Sequence, residues 1–460
     1  MLKHSVLAAA MAAAFATPML ASAADDKQLA EIREQIRQMK DSYEARLQAL
    51  EQRLQQAQAD AALPAPSVAA APEPEPAPAP APPAAASASN VFNPNLALIL
   101  GGTASNLSQD PNKYRLQGFL PSGGDVGPGQ RGFNLGESEL TLSANIDPQF
   151  AGQLTFSVTG DNTVSVEEAF VQTRALSNGV NLKAGRFLSS IGYLNSQHAH
   201  AWDFVDAPLA YQAFLGGQYK PDGMQAKWLA PLDQFLEVGV EVGSGRNFPG
   251  NERNKNGIGA TSVFAHLGDD IGNSSSWRAG LSYLRTAADA RNNDSADALG
   301  AVFSGKSATW IADGIYKWSP NGNPTATNFK LQGEYFRRNE DGSLGLDGSG
   351  PPAGAYSSVQ SGWYLQGVYQ FMPLWRAGLR YDRLSSGSVD IGLVDNGTAS
   401  FPLLEAYTPS RSTLMVDYSP SEFSRLRLQL GRDKSRPGVV DNQIFLQYIM
   451  SLGTHAAHSF

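Results

Sequence analysis

No cysteine occurs anywhere in the 460 residues. If the chain is exported, its fold must rest on backbone hydrogen bonds and packing, not on disulfide staples. No segment offers about 18 consecutive apolar residues, which excludes a transmembrane helix. Positive charge is also in short supply. With 35 Lys and Arg against 43 Asp and Glu, the formal net charge is −8, which argues against a nucleic-acid partner. No P-loop, dinucleotide fingerprint or H-E-x-x-H helix appears, and no enzyme is expected. Only 42% of residues are hydrophobic, yet there are 45 Gly, 21 Phe, 15 Tyr and 7 Trp. Many aromatics at modest hydrophobicity suit strands with one apolar and one wet face.

Three zones follow one another. Residues 1–23 read as a secretory signal peptide: Lys3 and His4, an Ala-rich run from Val6 to Phe15, then Ala21-Ser22-Ala23 as the cleavage site. Residues 24–60 are free of Gly and Pro and read as a coiled coil. Leu29, Ile32, Ile36, Met39, Tyr43, Leu47, Leu50, Leu54 and Ala57 form a seam of three- and four-residue steps, with one stutter between Tyr43 and Leu47. Residues 61–89 are almost entirely Ala and Pro, a stiff spacer. At about 3.1 Å per residue it reaches on the order of 80 Å.

Residues 90–460 change character. In WRAGLRYDRL (375–384), Trp375, Ala377, Leu379 and Tyr381 share one face and Arg376, Arg380 and Asp382 the other. RLRLQLGRD (425–433) sets Leu426, Leu428 and Leu430 opposite Arg425, Arg427 and Gln429. Sixteen such strands are predicted, near 95–104, 134–146, 150–159, 164–174, 180–187, 223–230, 234–243, 258–267, 275–285, 307–318, 327–337, 360–371, 374–384, 410–419, 424–433 and 442–453. Tight connections such as 147–149, 231–233 and 372–373 alternate with long ones at 105–133, 188–222, 244–257, 286–306, 338–359 and 385–409. The short connection at 160–163 breaks the rhythm. Short turns at one end and long loops at the other are the mark of an outer-membrane barrel. In lipid every backbone polar group needs an internal partner, so the sheet must close. The expected fold is therefore all-β and transmembrane: an antiparallel barrel of about 16 strands behind a short coiled coil. Trp228, Trp277, Trp318, Tyr381 and Tyr448 fall at strand ends and suit interfacial girdles.

The closing stretch NQIFLQYIMSLGTHAAHSF keeps Ile444, Leu446, Tyr448, Met450, Leu452, Ala456 and Phe460 in one two-residue period. It resembles the last strand of outer-membrane proteins, which implies Phe460 as the signal read by the barrel assembly machinery. The whole layout resembles Gram-negative porins of the phosphate-selective type. That likeness implies an outer-membrane location, a periplasmic coil, a homotrimer surrounded by lipid, and passive diffusion of small hydrophilic solutes or ions. A local likeness, AGRFLSSIGYLNSQHAHAWDFVDAPL (184–209), is to porin-like outer-membrane proteins, some associated with zinc-responsive regulation.

The inferred lumen faces carry Arg278, Lys330, Arg376, Arg380, Arg425 and Arg427, together with Glu139, Glu241, Glu334 and Asp382, as expected pore-lining residues. Beyond residue 89 there are 28 basic and 33 acidic residues, too mixed for an anion funnel. Counted from a periplasmic start, 188–222 is the third external loop, the segment that narrows general porins. It holds His198-Ala199-His200, then Asp203. Two His at i and i+2 with one carboxylate are a candidate zinc set, His198, His200 and Asp203; imidazoles packed within the loop are the plainer reading. His455 and His458 lie at the opposite end of the barrel and cannot join them. Asn195, Ser196 and His198 crowd too closely along the chain for a hydrolase triad. A zinc-related uptake protein and a surface adhesin or structural barrel are the alternatives. A TonB-dependent receptor would need a plug domain and about 22 strands, which this length does not supply.

Overall fold

The computed structural model of the chain describes residues 94–121, 126–160, 163–174, 176–251, 255–292, 300–346, 354–392 and 401–453. The expected signal peptide, coil and spacer, and Phe460, His455 and His458, lie outside the described residues.

The strands are β1 (Asn95–Leu107), β2 (Gly132–Asn134), β3 (Ser138–Asn145), β4 (Phe150–Val158), β5 (Val164–Thr173), β6 (Val180–Arg186), β7 (Asp222–Leu229), β8 (Phe235–Gly243) and β9 (Ala260–Ile271). They continue as β10 (Ser275–Asn292), β11 (Ala301–Trp318), β12 (Asn328–Leu346), β13 (Gly354–Met372), β14 (Trp375–Ile391), β15 (Ser410–Ser421), β16 (Ser424–Arg436) and β17 (Val439–Gly453). Between β6 and β7 stand a 3-10 turn, Ala199–Ala201, and an α-helix, α1 (Leu209–Leu215).

From β3 to β17 each strand pairs antiparallel with the next. β1 closes the ring. One of its edges runs against β17, from Ala97 opposite Gly453 to Leu107 opposite Gln443. The other edge takes both β2 and β3, with Thr103 opposite Asn134 and Leu98 opposite Leu140. β2 and β3 thus make one interrupted stave, and the barrel has sixteen, as expected from the sequence. Among the described residues the ring of strands is closed, which removes the open edges of a sheet.

Exposure follows the alternation, inverted relative to a water-soluble protein. Leu426, Leu428 and Leu430 are 42%, 46% and 42% exposed, while Arg425, Arg427 and Gln429 between them are 1% exposed. Leu379 and Tyr381 likewise face out, and Arg380 and Asp382 are buried inside. Only a hydrocarbon exterior makes that arrangement stable, because exposed leucines would otherwise be driven inward.

The strand boundaries differ from expectation at one end. β10 to β14 run for 17 to 19 residues. About 9–11 residues suffice to cross a bilayer. The expected long loops at 286–306 and 338–359 are strand at 286–292, 301–306, 338–346 and 354–359. The cause is visible in β12. Its outward positions pass from Leu331 and Tyr335 to Arg337, Asn339 and Asp341, all exposed. Beyond the lipid both faces meet polar surroundings, so the apolar signal ends before the hydrogen-bonded ladder does. The 159–163 connection is short, as read from the sequence, and so is 437–438.

Candidate functional site

The lumen is not empty at its middle. After β6 the chain turns inward, and residues 187–221 cross to the far wall before returning to β7. Every residue of α1 is buried, with Leu209, Ala210, Tyr211, Gln212, Ala213 and Phe214 at 0% exposure. α1 ends on Gly216 in the left-handed conformation, φ 67°, which lets the chain reverse. Phe336 of the wall packs face to face with Phe214, centroids 5.7 Å apart, and edge-on with Tyr211 at 5.2 Å. Phe119, from the connection after β1, closes over Phe214 edge-on at 5.7 Å.

Wall charges hold this segment by its backbone. Arg425 donates to the His200 carbonyl at 2.5 Å, Arg427 to that of Trp202 at 3.0 Å and Arg411 to that of Ala207 at 2.6 Å. Arg380 reaches Asp206 through both its carbonyl, 2.8 Å, and its carboxylate, 2.9 Å. On the opposite walls, Glu241 accepts from Ser189 Oγ at 2.5 Å and from the Ser190 amide at 2.9 Å. Glu334 accepts from the amides of Tyr193 and Leu194 and from the hydroxyls of Tyr211 and Tyr364, at 2.7–3.2 Å. Gly192 sits here with φ +67°; a Cβ would collide with the Glu334 carboxylate and the Tyr211 hydroxyl.

The ten residues expected to line a pore therefore do face the lumen, but most are covered. Arg425, Arg427, Arg380, Lys330, Glu139, Glu241, Glu334 and Asp382 are buried beneath the inserted segment. Arg278 and Arg376 keep partial exposure, with side chains 23% and 12% accessible. Their counter-ions are close: Arg278 lies 3.2 Å from Asp313, and Arg376 lies 2.5 Å from Asp417.

The expected zinc set is corrected in one member. Asp203 is held by Lys330 at 2.7 Å, Arg376 at 3.4 Å and Gln366 at 3.1 Å, and is a tether for the segment. Burial would raise its carboxyl, but Lys330 and Arg376 outweigh that and hold it below the usual range. Asp206 is lowered in the same way, burial being overcome by Arg411 and Arg380. Asn195 donates to the carbonyls of Ser189 and Tyr219, both at 2.8 Å, and Ser196 is exposed, so these two build no triad with His198.

His198 and His200 remain together, their rings 5.5 Å apart and stacked. Three wall carboxylates meet them. His198 Nδ1 lies 3.1 Å from Glu139 Oε2 and 3.2 Å from Glu167 Oε2, and its Nε2 lies 3.1 Å from Glu168 Oε2. His200 Nδ1 is 2.7 Å from Glu139 Oε1. Burial draws the His198 imidazole down, yet Glu139, Glu167 and Glu168 together raise it well above its ordinary value. Lys220 Nζ is 3.4 Å from Glu167.

Glu167 and Glu168 were not singled out from the sequence, because strict alternation sends neighbours to opposite faces. A β-bulge defeats it. Thr155 pairs with Glu168 and Phe156 with Val166, so Glu167 is the extra residue, and both carboxylates are buried in the lumen. The readable signal was Glu167-Glu168 itself. In a regular strand one of the pair would face hydrocarbon, at a cost of a few kcal/mol.

A closed sixteen-stave barrel with an apolar exterior, charged inner wall and inward third loop has the architecture of an outer-membrane β-barrel. The chain belongs to the family of an uncharacterized protein of Aquifex aeolicus (strain VF5), with which it shares 31% identity over 351 residues, 72% of this chain and 71% of that one. No family model matches it. Among solved structures it is similar to a loop-deletion mutant of OmpT, an outer membrane protein of Vibrio cholerae, at 11% identity, TM-score 0.49, over 78% of this chain and 99% of that one. It is also similar to the outer membrane channel DcaP of Acinetobacter baumannii at 14% identity, TM-score 0.47, over 78% and 97%. OprB of Pseudomonas putida stands at 14% identity, TM-score 0.48, over 78% and 94%.

Proposed function

We propose that the protein is an outer-membrane channel for passive diffusion of small hydrophilic solutes or ions, and that residues 187–221 form its constriction, here closed. The observation that carries this reading is α1, a fully buried helix standing in the lumen and tied to the wall by charged side chains. A rigid core would be cheaper to build from apolar contacts alone, since buried ion pairs rarely add net stability over well-packed hydrophobic groups. Charged tethers suit a segment that exchanges them for water when it moves. Among the accessible cations of the inner wall, Lys227 is paired with Glu237 at 3.1 Å and Arg278 with Asp313 at 3.2 Å, so charge selectivity is expected to be weak.

Planar-bilayer recording tests the reading. The intact protein should give brief or small steps, and a variant with 206–216 replaced by a short Gly-Ser linker should give large, stable ones. Silence from both would overturn it. By the same likeness to porins we infer a homotrimer, inserted by the barrel assembly machinery; mild-detergent gels and cross-linking test the oligomer.

A second reading, uptake linked to a metal ion, is favoured by the two imidazoles and three carboxylates gathered at the base of the segment.

A further inference from the structure

We propose that His198, His200, Glu139 and Glu167 form a binding site for a first-row divalent cation such as zinc, clasping the inserted segment to the β3–β5 wall. The inference does not depend on the channel reading; a barrel of any function could hold this site.

Donor spacing comes first. A tetrahedral ion with ligand bonds of about 2.0–2.1 Å sets its donor atoms about 3.3 Å apart. His198 Nδ1 stands 3.1 Å from Glu139 Oε2 and 3.2 Å from Glu167 Oε2. Donor atoms of Glu139, His198 and His200 all lie within 4.8 Å of one another. Two imidazoles with carboxylates are the donor set that zinc and its first-row neighbours take.

Charge agrees. Glu139, Glu167 and Glu168, with Glu137 beside the first two, face Lys220 and Lys183, so with neutral imidazoles four carboxylates and two lysines leave a formal charge of −2. Buried carboxylates need compensation, and a divalent cation supplies it in full.

The surroundings are those of a built site. With Nδ1 on the ion, His198 presents Nε2–H to Glu168, 3.1 Å away, the carboxylate–histidine–metal relay that fixes a ligand's tautomer. Glu168 is in turn held by the Leu188 amide at 2.9 Å and Gln153 Nε2 at 3.0 Å. His200 is fixed from behind, its carbonyl accepting from Arg425. The bulge that turns Glu167 inward is the kind of irregularity found beside functional sites.

The ligands come from both bodies. His198 and His200 belong to the inserted segment, while Glu139 and Glu167 belong to the wall. A bound ion therefore fastens the constriction, and its removal frees one of the tethers.

The test is zinc binding by the full-length protein in detergent, stripped with chelator and titrated calorimetrically, with bound metal counted by elemental analysis. One zinc per chain is expected. H198A/H200A should abolish it, E168Q should weaken it about 10- to 100-fold with stoichiometry kept, and H455A/H458A should leave it unchanged. Heat-modifiable migration on gels verifies that each barrel is folded; should the double variant not fold, the near-isosteric E139Q serves, with loss of binding expected. No zinc bound by the parent protein, or equal binding by H198A/H200A or E139Q, would overturn the site. So would loss in H455A/H458A alone.

Discussion

The backbone amide of Leu209 donates to Asp382 Oδ1 at 2.9 Å, so a carboxylate of the barrel wall receives the first turn of a helix standing in the lumen. The same carboxylate lies 3.1 Å from Arg380, which in turn grips Asp206. Helix, tether and wall thus share one charge network.

Weakening that contact should unseat the helix. D382N keeps an acceptor but removes the charge, and charge-assisted bonds exceed neutral ones by about 1 kcal/mol. That corresponds to roughly a fivefold gain in the displaced population. The absence of native cysteine allows a direct readout. Ala213 is wholly buried, so A213C should resist a maleimide in the otherwise native chain and label several times faster once D382N is added.

Acid should act on the same tethers. Asp203 and Asp206 are held below the usual carboxyl range, so their stabilisation is complete above the ordinary value, about 3.9, and is lost as pH falls through the lower bound-state value. The facing cations, Lys330, Arg376, Arg380 and Arg411, repel one another once the aspartates are neutral. Conductance is expected to be flat from pH 8 to about 5 and to rise below about pH 4. A rise centred near neutrality would point instead to other groups that hold the segment, Glu334 or the histidines.

Gly192 offers a steric counterpart. G192A demands φ > 0 of an alanine and places a methyl against Glu334. Strain at such a position costs on the order of 1–3 kcal/mol. The expected result is a barrel that folds normally, shown by heat-modifiable migration, with longer open times in bilayers.

The bulge makes a prediction of its own. Deleting Glu167 joins Val166 to Glu168 in the register their partners Phe156 and Thr155 already set. The barrel should assemble with near-normal thermal stability, whereas a deletion elsewhere in β5 would put one face of the strand out of phase. Circular dichroism melts of the two deletions compare them directly.

Much of the architecture was legible because its physics is local. Leu379, Arg380, Tyr381 and Asp382 declare their faces by identity alone, and sixteen repetitions of that pattern define the barrel. The ladder above the bilayer was hidden, since Asn339 and Asp341 on the outer face read as loop. Arg425 and Arg427 were rightly turned inward, but nothing near them in the chain tells that His200 and Trp202 would cover them. Asp203 stands close to the histidines in sequence, and the inserted segment carries it away to Lys330. Glu167 was lost to a single inserted residue that only the pairing with β4 reveals.

The staves are unequal, and the bilayer will register it. β6 and β7 have 7 and 8 residues against 19 in β12 and β13. Eight residues at about 3.3 Å each, tilted near 45°, rise about 19 Å, short of the apolar band of about 25 Å that such barrels present. Lipid beside Leu182, Met224 and Trp228 would have to thin to meet that side, whereas the tall side needs no adjustment. Thickness mismatch of this kind is relieved when protein replaces lipid, so the low flank is where a second copy would sit at least elastic cost.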